Sequence, residues 1–129
     1  MKSTVLLAIA SIVVVPALLK AQSNGMDTTE ALASSCRLYV QLTTSQAVPT
    51  MSSDKYIQTG FCIGYVAGFA HALSLAGISA FCLPDGINLS DAVKSFLKYV
   101  DEHPQELHLS AKITVSHALQ SAYPCKPKV

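Results

Sequence analysis

The sequence predicts an all-α fold: a small four-helix bundle, with room for one extra short turn, that is stapled by disulfides. Three observations predict it. Apolar residues recur at helical spacing in four segments of the 129-residue chain, a length that suits one domain. Stretches rich in proline, glycine, serine or threonine separate these segments. The four cysteines are an even number, which in a short exported chain indicates two disulfides.

The N-terminal segment has the pattern of a secretory signal peptide. A lysine precedes an uncharged, mostly apolar run over residues 5–19, and a polar stretch follows from residue 22. We expect cleavage after Ala21, which gives a signal peptide over residues 1–21, a mature domain over residues 22–129, and a periplasmic location. The alternative is an uncleaved membrane anchor, but the run is shorter than the ~20 apolar residues that a spanning helix needs.

Without its signal peptide, the domain is nearly neutral. The chain has nine basic and eight acidic residues, and Lys2 and Lys20 lie in the signal segment, so the mature net charge is about −1. No basic patch is evident in the sequence. We therefore expect no nucleic-acid partner and, after cleavage, no membrane partner.

The first helix is predicted over about residues 27–42. Asp27 is the expected N-cap, and Glu30 would complete a pair that resembles a capping box. Residues 43–53 then form a loop, because they are rich in threonine and serine and contain Pro49.

The second helix is predicted over about residues 54–76, with Ser52 or Ser53 as its cap and Gly77 as its terminator. Apolar side chains surround nearly the whole helix, which is typical of a central, buried helix. Three glycines recur at a spacing of four: Gly60, Gly64 and Gly68. Each costs roughly 1 kcal/mol relative to alanine in a helix. We expect the close approach of a neighbouring backbone to explain them.

The third helix should begin near Asn88 or Ser90, where an amphipathic pattern starts. It should end at His103, because a residue that precedes proline avoids helical geometry, and Pro104 follows. The last helix should open at residue 109 or 110 and end near Ala122. No strand pattern competes with these four helices.

Four cysteines allow three pairings. Cys36 lies near the end of the first helix and Cys62 near the start of the second, so an antiparallel hairpin brings the two level. Cys82 and Cys125 each follow a helix, in irregular segments that can meet at one end of the bundle. We therefore predict the disulfides Cys36–Cys62 and Cys82–Cys125.

Catalytic motifs are missing from the sequence, which has no G-x-S-x-G, H-E-x-x-H, P-loop or G-x-G-x-x-G. All four cysteines are better used as crosslinks than as nucleophiles. His103 and His108 are close in sequence but lack a third zinc ligand at a matching spacing. His71 is expected to be a hydrogen-bonded histidine at the core or its rim. We expect no enzymatic activity, no cofactor and no metal.

Four short motifs point to a known family. They are FCIGYVAG at residues 61–68, FCLP at 81–84, LKYV at 97–100 followed by His103-Pro104, and Ala118-Leu119 followed by Tyr123-Pro124-Cys125. With these motifs, the chain resembles the Rap-type immunity proteins of type VI secretion systems over about residues 30–125. The family consists of small, disulfide-bonded helical domains of the periplasm, and it usually has an acidic residue where this chain has His71.

The resemblance implies a protein that binds a peptidoglycan-cleaving amidase effector and blocks its active site, often as a homodimer. Because loops carry binding function more often than helix cores do, we place the partner-binding surface in the segment after the second helix, at Leu83, Pro84, Asp85 and Asn88. An alternative is a periplasmic acid-stress chaperone of the HdeA type, against which the four cysteines and the signature turns argue. A third possibility is an assembly subunit of an envelope complex.

Overall fold

The computed structural model describes residues 25–45, 50–76 and 80–126. In these ranges the chain forms four α-helices and no strand, which confirms the predicted all-α bundle. The helices are α1 (Thr29–Thr44), α2 (Ser53–Leu75), α3 (Leu89–Glu102) and α4 (Ala111–Ala122), and a 3-10 turn (Pro104–Glu106) follows α3. The predicted signal peptide, Pro49 and Gly77 lie outside the described residues.

Thr28, and not Asp27, is the N-cap of α1, so the predicted capping pair is wrong. The Thr28 hydroxyl accepts a hydrogen bond from the backbone N–H three residues on, at 3.3 Å. The Asp27 carboxylate instead accepts hydrogen bonds from the Ser110 hydroxyl at 2.7 Å and from the Tyr65 hydroxyl at 3.1 Å. The bond from Ser110 contributes most to lowering the pKa of Asp27. The Asp27 side chain, which the local sequence pattern predicted as the cap, is thus hydrogen-bonded to residues that are distant in the sequence.

The core lies between one apolar stripe from each helix. Its largest fully buried apolar side chains are Leu32 of α1, Val66 of α2, Val93, Phe96 and Val100 of α3, and Val115 and Leu119 of α4. Burial of a side chain of this size contributes roughly 1.5–3 kcal/mol relative to its exposure. The amphipathic patterns of the sequence therefore correspond to real packing faces.

The start of α1 is fastened to the start of α4. The Thr29 and Thr114 hydroxyls form a buried hydrogen bond at 2.8 Å. The Thr29 N–H donates to the Leu109 carbonyl at 2.9 Å, and the Ala111 N–H donates to the Asp27 carbonyl at 2.7 Å. The first and last helices are thereby joined at one end of the bundle.

Both predicted disulfides are confirmed. Cys36–Cys62 joins α1 to α2 with its Cα atoms 5.0 Å apart, and Cys82–Cys125 joins the segment before α3 to the segment after α4 at 4.8 Å. In the chain-entropy model, loops of these lengths give about 3–4 kcal/mol of stabilisation each. Among the helices described, none is long and apolar enough to cross a membrane.

α2 is not the central, buried helix that its composition predicts. It packs against α1 and α3 along one side, and its buried residues are Cys62, Val66 and Ala70. On the other side, Ile57 is 71% exposed and Leu75 is 90% exposed. The glycine prediction is wrong as well, because a Cβ added at any of the three glycines of α2 would meet nothing within 4 Å. No backbone of this chain approaches that face in the described ranges.

Candidate functional site

The segment that precedes α3, residues 80–88, is called the connector here, and it is held near both ends. Near its start, the Cys82–Cys125 disulfide crosslinks it to the segment after α4, and the Cys82 N–H donates to the Tyr123 carbonyl at 2.8 Å. At its end, Asn88 caps α3 by accepting a hydrogen bond from a backbone N–H at 2.9 Å. The connector is therefore fixed relative to the ends of two helices.

Between these attachments, the connector forms an exposed turn. The Ile87 N–H donates to the Pro84 carbonyl at 3.2 Å, which closes the turn. Gly86 adopts a φ of +80°, a conformation that side chains disfavour, so the turn needs glycine there. Pro84 and Asp85 are both exposed. The turn thus presents a carboxylate to solvent.

A groove of about 280 Å³ lies between the connector and the second half of α2. The residues that line it are Val66, Ala67, Ala70, His71, Ser74, Leu83, Ile87, Asn88, Leu89 and Ala92. Val66 and Ala70 are buried, whereas His71 and Ser74 are exposed. The groove therefore combines a largely apolar floor with polar groups at its rim, a composition that suits an inserted side chain of another protein.

The structure brings together two of the four predicted partner-binding residues. Leu83 and Asn88 line the groove, while Pro84 and Asp85 lie at the exposed turn beside it. Sequence reasoning missed His71 as a groove residue, and it is exposed at the rim and not in the core. In the sequence, His71 stands out as a histidine within residues 57–75, a stretch that has no aspartate, glutamate, lysine or arginine.

A second groove, of about 480 Å³, lies on the opposite flank of α2, against α4. It is lined by Phe69, Leu73, Ala80, Lys112, Ile113, Ser116, His117 and Gln120. Both flanks of α2 are thus concave, and the exposed face of the helix stands between them.

Glu106 connects the 3-10 turn to two helices. Its carboxylate accepts a hydrogen bond from the Tyr99 hydroxyl at 3.1 Å and lies 3.1 Å from Nδ1 of His117. Burial by itself would raise the pKa of Glu106, but its bonds to His117 and Tyr99 outweigh that effect and lower it. Burial, followed by the bond to Glu106, raises the pKa of Tyr99. This cluster fixes the turn, and the described residues include no group of three or more side chains placed to hold a metal ion.

The sequence matches a known protein family. The model of the Rap1a immunity proteins matches residues 28–125. The chain belongs to the Rap1a immunity protein family. The matched range begins at the residue that caps α1 and ends at the last disulfide cysteine, so this Rap1a domain corresponds to the whole helical bundle. No curated protein and no solved structure matches the chain.

Membership confirms the resemblance inferred from the four motifs and indicates an immunity role, in which the Rap1a domain binds an effector protein. The connector and its groove are suited to such binding. An exposed turn stands beside an apolar depression, and protein interfaces commonly place an anchoring side chain in a depression of this kind.

Proposed function

We propose that this chain is a periplasmic immunity protein that binds and neutralises a peptidoglycan amidase delivered by a type VI secretion system. The observation that carries the proposal is the family match over the complete helical bundle. The two disulfides support an exported location, because such bonds persist in oxidising compartments. Residues 1–21 act as the signal peptide in this proposal, with cleavage after Ala21.

The effector is proposed to dock on the connector and its groove, with Leu83, Pro84, Asp85 and Asn88 in the interface. The disulfide and the α3 cap hold this surface in place before binding. A pre-organised surface loses little conformational entropy on docking, which favours affinity. Since a few free toxin molecules can damage the wall, we expect a dissociation constant of about 1 nM, or about −12 kcal/mol.

The surface is tested by a pair of charge reversals. Asp85→Lys changes the exposed turn, and Glu30→Lys makes the same charge change at an exposed position of α1. Glu30 is hydrogen-bonded through its backbone to Leu107, near the start of α4, while the connector adjoins Tyr123 at the other end of that helix. Affinity for an amidase encoded nearby is measured by calorimetry. Asp85→Lys should weaken binding by about tenfold or more, and Glu30→Lys should leave it unchanged.

The function is tested in living cells. The amidase is expressed in the periplasm with the full chain, and with a chain that lacks residues 1–21. The full chain should prevent lysis and the shortened chain should fail, because it does not reach the amidase. If lysis proceeds with the full chain and no complex survives gel filtration with any neighbouring amidase, the proposal is wrong. Suppression of aggregation at low pH would then favour the chaperone alternative.

The homodimer implied by the family resemblance is a further proposal, with the exposed face of α2 as its interface. Residues 57–75 include no aspartate, glutamate, lysine or arginine. A two-fold axis pairs a surface patch with the same patch on the second copy, so an uncharged face meets another uncharged face without repulsion between like charges. The open space at Gly60, Gly64 and Gly68 also allows two helix backbones to approach closely.

Sedimentation equilibrium tests this pairing. Gly64→Leu should abolish the dimer, because the added side chain holds the helices apart, and should leave the monomer folded. Ser34→Leu introduces the same side chain at an exposed position of α1 and is the control. A wild-type protein that is monomeric at tens of micromolar, or equal dimerisation of all three proteins, would exclude this interface.

A further inference from the structure

The two disulfides differ in their access to solvent. Cys36 and Cys62 are both 0% exposed and belong to the core. Cys82 is exposed and Cys125 is half-buried, at the point where the connector meets the end of α4. Thiol–disulfide exchange begins when a thiolate attacks a disulfide sulfur, so its rate depends on access to that sulfur. The outer bond is therefore far more open to attack than the inner one.

The helices do not depend on the outer disulfide for their positions. At its start, α4 is held by the hydrogen bond from the Ala111 N–H to the Asp27 carbonyl and by the buried bond between Thr29 and Thr114. The inner disulfide independently ties α1 to α2. Opening of the outer bond thus leaves both of these fastenings in place.

The outer disulfide acts directly on the connector, because it crosslinks this segment to the segment after α4. The connector's other attachments include the hydrogen bond from the Cys82 N–H to Tyr123, the packing of Phe81 and Leu83 against the core, and the cap formed by Asn88. When the disulfide opens, the covalent link between the connector and the segment after α4 is lost. The exposed turn and one wall of the groove then depend on weaker contacts.

We propose that the Cys82–Cys125 disulfide is a reducible latch that holds the connector in its binding conformation and that a dithiol opens while Cys36–Cys62 stays intact. A thiolate of the dithiol attacks Sγ of Cys82, which forms a mixed disulfide and breaks the Cys82–Cys125 bond. The Cys125 sulfur leaves as a thiolate and takes up a proton. This regulation rests on the proposed function in one respect, namely that the connector contacts the effector.

A second exchange completes the reaction. The other thiol of the dithiol, as a thiolate, attacks the dithiol sulfur of the mixed disulfide. A disulfide then closes within the dithiol, and Cys82 leaves as a thiolate that takes up a proton. The domain gains two electrons and two protons, and the dithiol loses the same number.

The order of reduction is the first test. The oxidised chain is incubated with dithiothreitol, alkylated at intervals with iodoacetamide and mapped by peptide mass spectrometry. Cys82 and Cys125 should be alkylated at least ~100-fold faster than Cys36 and Cys62, because the buried Cys36–Cys62 bond can be reduced only when the core opens transiently. Helical circular dichroism should persist meanwhile. Simultaneous reduction of both bonds, or earlier reduction of Cys36–Cys62, overturns the proposal.

Amide hydrogen exchange is the second test, because it follows the connector itself. Selective reduction should speed exchange at the Cys82 amide by about tenfold or more and leave the Val115 amide of the core unchanged. The double variant Cys82→Ser, Cys125→Ser should match the reduced protein and should not respond to dithiothreitol. Unchanged exchange at Cys82 in the reduced wild type overturns the latch, whether or not the double variant folds.

Effector binding separates this inference from the proposed function. The oxidised and the selectively reduced proteins are titrated with the amidase, and reduction should weaken binding by about tenfold. Equal binding by both forms overturns the latch as a regulator of binding. If the oxidised protein itself does not bind, the proposed function is wrong, and the order of alkylation still decides whether the outer bond opens alone.

Discussion

Replacement of Gly64 by alanine should stabilise this domain, although helix glycines are often read as sites of close packing. A Cβ at this position meets no heavy atom within 4 Å, so no clash offsets the gain. Alanine is more favourable than glycine in a helix interior by about 0.8–1.0 kcal/mol. We therefore expect the free energy of unfolding to rise by about 1 kcal/mol and the melting temperature to rise by about 4–8 °C, since the domain is small.

The assay is urea and thermal unfolding, followed by circular dichroism at low micromolar protein so that self-association contributes little. Gly86→Ala is the matched control, because it makes the same chemical change where φ is +80°. Alanine in that conformation costs about 1–2 kcal/mol, so this variant should lose stability. If Gly64→Ala is destabilised as much as Gly86→Ala, a Cβ at position 64 must meet other atoms, and this face of α2 is not open.

Three further substitutions test other contacts. Thr114→Val should lower the free energy of unfolding by about 1–2 kcal/mol, measured in urea, because it removes the buried hydrogen bond to Thr29. Glu106→Gln should make stability depend less on pH in the acid range. Because the fold lowers the pKa of Glu106, its carboxylate stabilises the folded state fully above the ordinary glutamate pKa of about 4.3. This stabilisation is lost as the pH falls through the lowered pKa of the folded state. Thermal unfolding at a series of pH values measures that change. Arg37→Ala should cost less than about 1 kcal/mol, since Arg37 and Asp101 form their ion pair in solvent.

A specific result would contradict each of these three predictions. A Thr114→Val protein of wild-type stability would show that the buried hydroxyl pair contributes nothing. Parallel loss of stability in wild type and Glu106→Gln on acidification would assign the acid transition to other carboxylates. A loss of several kcal/mol in Arg37→Ala would mean that the Arg37 side chain contributes packing in addition to its exposed ion pair.

The helices and both disulfides could be predicted because they follow from local signals. Apolar spacing located all four helices, and the hairpin of the first two was enough to place Cys36 level with Cys62. The cap of α1 could not be predicted in this way. The hydroxyls that engage Asp27 belong to Tyr65 and Ser110, which lie 38 and 83 residues away in the sequence. Only the assembled bundle brings them together.

The burial of α2 and the groove were missed for a related reason. A helix that is apolar all round has the same sequence pattern in two cases: when its own chain encloses it, and when one of its faces stays exposed. The sequence of α2 therefore could not distinguish between them. Likewise, the connector was recognisable from Pro84 and Asp85, but the groove exists only where the second half of α2 meets the connector. His71 therefore has no evident partner pattern in the sequence, whereas in the fold it lies at the rim of this groove.

The order of the disulfides along the chain has a consequence for biosynthesis. Each cysteine pairs with its neighbour in sequence, Cys36 with Cys62 and then Cys82 with Cys125, so the two loops do not interleave. A chain that enters an oxidising compartment amino end first exposes the first pair before Cys82 has crossed the membrane. An oxidase that joins cysteines in order of arrival then makes only native bonds. Maturation of this domain should consequently require a thiol oxidase and no disulfide isomerase.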